Sequence, residues 1–166
     1  QALELDCWII LSKTIMVNQN KNITLNFYTI KSNFSDILFS LCKKIILSDQ
    51  NFYINYDKEE AKIEADKFLW TKEKNNFVPH KVYGEKISVR DKIILFNGNY
   101  SDLEVFKKFQ SLIISPCVKI KKFDLFKKFL IFSYASEKKF NLGIKEKLIS
   151  KCFILNWYDE QNILKW

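Results

Sequence analysis

The sequence predicts a layered α/β fold built around a mainly parallel sheet. Short runs rich in aromatic and β-branched residues, which are typical of strands, alternate with segments that have helical apolar spacing. This alternation is characteristic of strand–helix–strand units, in which neighbouring strands are parallel and the helices cover the sheet. The chain has 166 residues, of which 48% are hydrophobic, so one domain can bury a substantial core.

The first three predicted elements are a strand, a helix and a second strand. Ile23–Thr29 is the first strand, and a helix follows over Asp36–Leu47, with Asn33 and Ser35 as candidate caps. Asn51–Tyr56 is the second strand. The apolar residues of the helix recur at helical spacing, so one of its faces is expected to pack on the sheet.

A second helix is predicted from Asp57 to Trp70. Asp57 is the expected N-cap, and the carboxylates of Glu59 and Glu60 suit the positive end of the helix dipole. These acids could also form a catalytic carboxylate pair, but the electrostatics of a helix start explain them more simply. The inner stripe of this helix consists of small and large apolar residues: Ala61, Ala65, Phe68 and Leu69.

The second half of the chain repeats the alternation. Lys92–Phe96 is predicted to be a buried strand, and Ser101 is expected to cap a helix that runs to Phe109. The remaining elements are a strand, a helix and a last strand: Phe129–Phe132, Glu137–Lys151 and Phe153–Tyr158. Residues 22–166 are expected to form a single domain. Residues 110–127 are interpreted as a possible insertion, and residues 1–21 as an N-terminal extension that the fold can dispense with.

The composition favours an intracellular globular protein. No apolar run reaches the roughly 18–20 residues that a membrane span requires, so no membrane segment is expected. The four cysteines lack Cys-x-x-Cys spacing, which favours free, buried thiols and a cytoplasmic location. The formal net charge is +8 and comes almost wholly from lysine. Specific nucleic-acid readout favours arginine, so the charge fits an acidic protein partner better than direct base recognition.

The sequence lacks the patterns that cofactor binding and catalysis require. The turn after the first strand, residues 30–33, has no glycine, and Gly84, Gly98 and Gly143 are isolated, so no phosphate-binding loop is present. His80 is the only histidine, and no nucleophile or second metal ligand stands at useful spacing from it. We therefore expect no cofactor, no metal and no enzymatic activity.

The segment Phe68–His80 is the strongest candidate for a functional site. It places Trp70 at the end of a helix and Phe77 before a Val-Pro-His turn. The two rings could fill the core beneath the loop, or they could anchor a docking surface, because aromatic residues dominate such anchors. Pro79 would stiffen the loop and so reduce the entropy lost on binding.

These residues resemble the chi subunit family of bacterial DNA polymerase III, an accessory component of the clamp loader. The family pattern has Phe-Tyr at the end of the first strand, Leu-Trp at the end of a helix, and a loop that ends in Pro-His. This sequence contains all three in order, as Phe27-Tyr28, Leu69-Trp70 and Phe77-Val78-Pro79-His80. The resemblance implies a Rossmann-like three-layer fold without a nucleotide site, and a non-catalytic role in DNA replication.

The resemblance also implies two partner-binding surfaces. One would bind the psi subunit of the clamp loader through Trp70, Phe77, Val78, Pro79 and His80. The other would bind the acidic C-terminal tail of single-stranded-DNA-binding protein through Lys138, Lys145 and Lys147, so that DNA is contacted only indirectly. Two alternatives remain: a basic module that binds single-stranded nucleic acid directly, and a small-molecule enzyme with a polar pocket at the carboxyl ends of the strands.

Overall fold

A computed structural model describes residues 23–99, 103, 108–120, 123, 125–137 and 153–160 of the chain. These residues contain seven strands and two helices. The strands are β1 (Thr24–Ile30), β2 (Phe52–Tyr56), β3 (Lys81–Val82), β4 (Ile93–Asn97), β5 (Ser111–Ile114), β6 (Lys128–Tyr134) and β7 (Ile154–Asp159). The helices are α1 (Phe34–Leu47) and α2 (Glu59–Thr71).

All seven strands belong to one parallel sheet. Their order is β3-β4-β2-β5-β6-β1-β7, and every strand pairing in the described residues is parallel. The central strands are almost wholly apolar and buried, as expected for a sheet that is covered on both faces. The predicted α/β fold with a mainly parallel sheet is confirmed.

Apolar side chains on the two faces of the sheet form two separate clusters. Helices α1 and α2 pack on one face, where Leu38 of α1 and Leu69 of α2 lie among the buried residues of the strands. The opposite face is covered by a second cluster that includes Phe109, Val118 and Phe126. The result is a three-layer, Rossmann-like arrangement in which the sheet is the middle layer.

Helix α1 is capped at both ends, as its sequence predicts for the N-terminus. The side chain of Asn33 accepts a hydrogen bond from the Ser35 N–H at 2.9 Å. At the other end, the Lys92 ammonium donates to the carbonyls of Ile46, at 2.9 Å, and Ser48. A cation at this position also suits the negative end of the helix dipole.

Helix α2 begins differently from the prediction. The expected cap, Asp57, lies outside the helix; Lys58 is the N-cap residue, and no side-chain hydrogen bond caps it. Glu59 and Glu60 lie in the first turn of the helix, as predicted, and Glu59 forms an ion pair with Lys62 at 2.8 Å. The helix extends one residue past Trp70, to Thr71.

The interpretation of residues 110–127 as an insertion is wrong for their first part. Ser111–Ile114 form β5, which lies between β2 and β6, and all four residues are buried. A short β-branched run bounded by Ser115-Pro116 is a recognisable signal for such a strand. The two-residue β3 at the sheet edge was not predicted either, because two residues are too few to show periodicity.

Several predictions fall on residues outside the described ranges. They concern the extension at 1–21, the helix at 137–151 except Glu137, and most of the helix at 101–109. Of the four cysteines, Cys42 and Cys117 are described, and both are free. Cys42 is buried, as predicted, and burial raises the pKa of its thiol. Cys117 is exposed, so the expectation of burial is wrong for this residue.

The central position of β5 leads to a stability prediction. Ile113→Ala removes a fully buried side chain from the middle of the sheet. We expect the free energy of unfolding to fall by about 2–5 kcal/mol, because the substitution loses apolar burial and leaves a cavity. Chemical denaturation measures the change. The matched control is Val89→Ala, whose side chain is 93% exposed. If both variants unfold at the same denaturant concentration as the parent, β5 is not part of the core.

Candidate docking surface

Trp70 and Phe77 form an exposed aromatic pair at the end of α2. Their rings stack with centroids 4.9 Å apart and planes inclined by 29°. Trp70 is 46% exposed and Phe77 is 50% exposed, so neither ring fills the core. Of the two possibilities that the sequence leaves open, the surface position is therefore correct. Each ring keeps about half of its area available to a partner.

The loop that carries Phe77 is fastened to α2 and to the sheet. The N–H of Val78 donates to the carbonyl of Leu69 at 3.1 Å, and the Val78 side chain is buried in the cluster beneath the helices. The loop is also tied to α1 by two ion pairs. Lys43 pairs with Glu73 at 2.8 Å, and Lys72 pairs with Asp36 at 2.7 Å. Phe77 is thus presented on a loop whose backbone and ends are held in place.

A single carboxylate oxygen connects Trp70 with His80. Oδ1 of Asp66 accepts a hydrogen bond from the indole N–H of Trp70 at 3.2 Å, and it also lies 2.8 Å from Nε2 of His80. The other ring nitrogen of His80, Nδ1, lies 2.7 Å from the carbonyl oxygen of Val78. His80 is buried, and its ring centroid is 5.1 Å from that of Trp70.

Both ring nitrogens of His80 face oxygen atoms, since one neighbour is a backbone carbonyl and the other belongs to a carboxylate. The contact with Asp66 joins the loop that carries His80 to α2, beneath the aromatic pair.

The five residues predicted for this surface divide into two groups. Trp70, Phe77 and Pro79 are exposed, and they are in a position to contact a partner. Val78 and His80 are buried, and their side chains support the surface from below. The role of all five residues in binding a partner stays a prediction. Burial of alternate residues in an irregular loop depends on tertiary contacts, and sequence spacing does not reveal it.

Two further residues belong to the surface and were not predicted. Asp66 precedes Trp70 by four positions, a spacing at which helical side chains meet, so this spacing was an available signal. The contact of Asp66 with His80 joins residues 14 positions apart, and no sequence pattern predicts it. Ile63 lies two turns before Trp70 on the same side of α2 and is 42% exposed. Exposed apolar side chains therefore lie on one side of α2 at Ile63 and at the aromatic pair, with Asp66 between them.

The turn after β1, where a Rossmann-like fold with a nucleotide site binds phosphate, is occupied by the chain itself. The N–H groups of Lys31 and Ser32 donate to the carboxylate of Glu160 at 2.8 and 3.1 Å. Hydrogen bonds from Ser32 and Lys31 lower the pKa of this carboxyl. The donors that could hold a phosphate group are thus bonded to an internal anion.

A cleft lies at the carboxyl ends of the central strands, where a small-molecule enzyme would have its pocket. It has a volume of about 430 Å³, and its lining includes Asp57, Lys58, Cys117 and Lys119. Partial desolvation and the nearby Glu137 raise the pKa of the Cys117 thiol, which disfavours the nucleophilic thiolate.

In the described part of the chain, no three His, Cys, Asp or Glu residues are grouped to hold a metal ion. None of the described helices is long and apolar enough to cross a membrane.

Comparison with protein families identifies the chain. The sequence model of the family described as "DNA polymerase III chi subunit, HolC" matches residues 23–141. The chain belongs to the DNA polymerase III chi subunit family. Comparisons with curated proteins and with solved structures gave no match.

Membership of the chi family confirms the resemblance seen in the sequence. The matched region includes α2, the aromatic pair and the loop that carries Phe77, together with strands β1 to β6. As a chi subunit, the protein is an accessory subunit of DNA polymerase III and serves DNA replication. Of the three lysines predicted to bind a protein tail, Lys138 lies within the match, while Lys145 and Lys147 lie beyond it. All three are outside the described residues.

Proposed function

We propose that this chi subunit is a non-catalytic bridge in the replication machinery of the bacterial cytoplasm. One end of the bridge is the surface made by Ile63, Trp70, Phe77 and Pro79, which binds the psi subunit of the clamp loader. The other end is the lysine-rich segment containing Lys138, Lys145 and Lys147, which binds the acidic C-terminal tail of single-stranded-DNA-binding protein. Through that protein, the subunit reaches DNA indirectly.

The exposed Trp70–Phe77 stack is the observation that carries the proposal. An exposed aromatic pair on a soluble domain loses apolar hydration when a partner covers it, and aromatic residues are the commonest energetic centres of interfaces. The pair is also held in place before binding, because Asp66 holds Trp70 and the Val78–Leu69 hydrogen bond holds the loop. Little ordering entropy is then lost on association.

The proposed contact with single-stranded-DNA-binding protein rests on charge and on family membership. The chain carries a formal net charge of +8, which attracts an acidic tail and accelerates encounter with it. A tail that ends in acids and an apolar residue requires cations around an apolar notch. The lysines of residues 138–147 supply the cations.

Direct binding of single-stranded nucleic acid is the competing function. Exposed aromatic rings near lysines can stack with bases, and the Trp70–Phe77 pair has this general chemistry. Here, however, the two rings stack on each other, so the face that each turns to the other is not open to a base. We therefore place direct binding second, as an outcome that the experiments below would reveal.

Removal of either ring should weaken binding to psi without unfolding the protein. We expect Trp70→Ala and Phe77→Ala each to weaken the complex by about 2 kcal/mol or more, roughly 30-fold, as truncation of an interface anchor does. Isothermal titration calorimetry with the purified psi subunit of the same organism measures the dissociation constant. Circular dichroism of each variant checks that the fold is kept.

The matched control is Val89→Ala, in the segment between β3 and β4. Val89 is the same kind of exposed apolar residue, at 93% exposure, and its neighbour Ile87 packs on the cluster that covers the opposite face of the sheet. Its substitution should leave the dissociation constant within about twofold, because an isolated exposed side chain contributes little. Unchanged binding by both aromatic variants would exclude the proposed psi surface. Unfolding of both variants would show that the rings stabilise the fold and would contradict their role as a docking surface.

The tail of single-stranded-DNA-binding protein should be required for the second contact. We expect the chi subunit to retain the intact protein on an affinity column and to lose it when the last few tail residues are deleted. Combined Lys138→Ala, Lys145→Ala and Lys147→Ala substitutions should have the same effect, because each removes from the chi subunit a cation that attracts the acidic tail. Equal retention of intact and truncated protein would contradict tail binding. Strong, steeply salt-dependent binding of bare single strands would favour the competing function.

A further inference from the structure

The docking surface contains a hydrogen-bond acceptor that the chain leaves unused. Oδ1 of Asp66 accepts from both Trp70 and His80, whereas Oδ2 is bonded to no donor among the described residues. The Asp66 side chain is 35% exposed. Because Oδ1 is already engaged with two donors, Oδ2 is the oxygen that remains for a donor from outside the chain.

The unused oxygen lies between apolar side chains that a partner would cover. Asp66 follows Ile63 by three positions and precedes Trp70 by four, so the three side chains are neighbours along one side of α2. Lys62, which precedes Asp66 by four positions, is the helical cation best placed to neutralise it. Lys62 is instead paired with Glu59 at 2.8 Å.

Covering this surface has a consequence for the partner. A partner that packs on Ile63 and on the Trp70–Phe77 pair also excludes water from Oδ2 of Asp66. A carboxylate oxygen that loses water without gaining a donor opposes binding, so a stable complex must supply that donor. A cationic donor is favoured, because its charge also interacts with the neighbouring aromatic rings.

We propose that the segment that docks on α2 presents a basic side chain, best an arginine, between apolar residues. This inference rests on the proposed function of the surface. The cation donates to Oδ2 of Asp66, and the apolar residues on either side pack on Ile63 and on the aromatic pair. Arginine fits best, because its planar group can donate to a carboxylate while lying against an aromatic ring.

Asp66→Asn tests the inference with little change of shape. The asparagine keeps one oxygen for Trp70 and His80 but replaces the free oxygen by an amide that donates. We expect the dissociation constant for the purified psi subunit to rise at least about tenfold at low salt, as for loss of a close charge pair. The variant should also lose part of the salt dependence of binding, since one ion pair is absent. Titration calorimetry at two salt concentrations measures both changes.

The matched control is Glu64→Gln on the same helix. It removes the same charge from an exposed residue two positions away, which points to a different side of α2. Its dissociation constant should stay within about twofold of the parent. Thermal unfolding of Asp66→Asn shows whether the fold is intact. If it is not, single Arg→Gln and Lys→Gln substitutions in psi, tested against the unaltered chi subunit, locate the cation from the partner's side.

The possible outcomes separate this inference from the proposed function. If folded Asp66→Asn binds psi as the parent does while Trp70→Ala does not bind, the basic contact is wrong and the docking surface stands. If Asp66→Asn weakens binding with no change in salt dependence, the donor is neutral and the cation is excluded. If Trp70→Ala binds normally, the surface itself is wrong. A partner-side scan without effect also overturns the inference.

Discussion

The arrangement of the candidate docking surface depends on one carboxylate oxygen. Oδ1 of Asp66 accepts from the indole of Trp70 and from the imidazole of His80, so it joins the end of α2 to the loop that follows it. On its other side α2 buries Ala65 and Leu69 against the sheet, which fixes the helix itself. The exposed rings therefore stand on a base that is packed below and hydrogen-bonded at the side. Loss of this oxygen would remove the hydrogen-bond partner of Trp70 and that of His80 at once.

The candidate docking surface does not lie where folds with a parallel sheet usually bind their ligands. In folds of this kind ligands usually bind at the carboxyl ends of the strands, beside the turn after the first strand. In this chain the N–H groups of that turn donate to the carboxylate of Glu160. The adjacent cleft contains Cys117, and the raised pKa of its thiol disfavours the nucleophilic thiolate. The surface with exposed aromatic rings lies elsewhere, on α2 and on the loop that leads to β3 at the sheet edge. A surface of this kind suits the proposed docking of a protein partner.

Much of the fold could be predicted from local sequence, and the exceptions have physical causes. The runs that became β1, β2, β4, β6 and β7 are apolar and flanked by helical or turn signals, so their type was readable. The sequence suggests an insertion at β5 because its four residues lie close to a second, similar run. The cap of α2 was misplaced because Asp57 has the right chemistry, and only the backbone decides which residue is the cap.

The site was predictable in outline and not in detail. The aromatic pair and Pro79 could be named from the sequence, but local pattern alone left open whether the rings were core or surface. That question depends on what packs above α2, which is a tertiary property. The burial of Val78 and His80, and the contact between Asp66 and His80, arise from loop closure and leave no periodic trace. The family resemblance supplied the function, and family membership then confirmed the accessory role.

Hydrogen–deuterium exchange of the complex with psi tests the docking surface most directly. Exchange is compared for the chi subunit alone and with saturating psi. Amides in residues 59–82 should become protected, with no change in β7 at the opposite edge of the sheet. Protection confined to other residues, in a complex shown to form under the same conditions, would contradict docking on the Trp70–Phe77 pair.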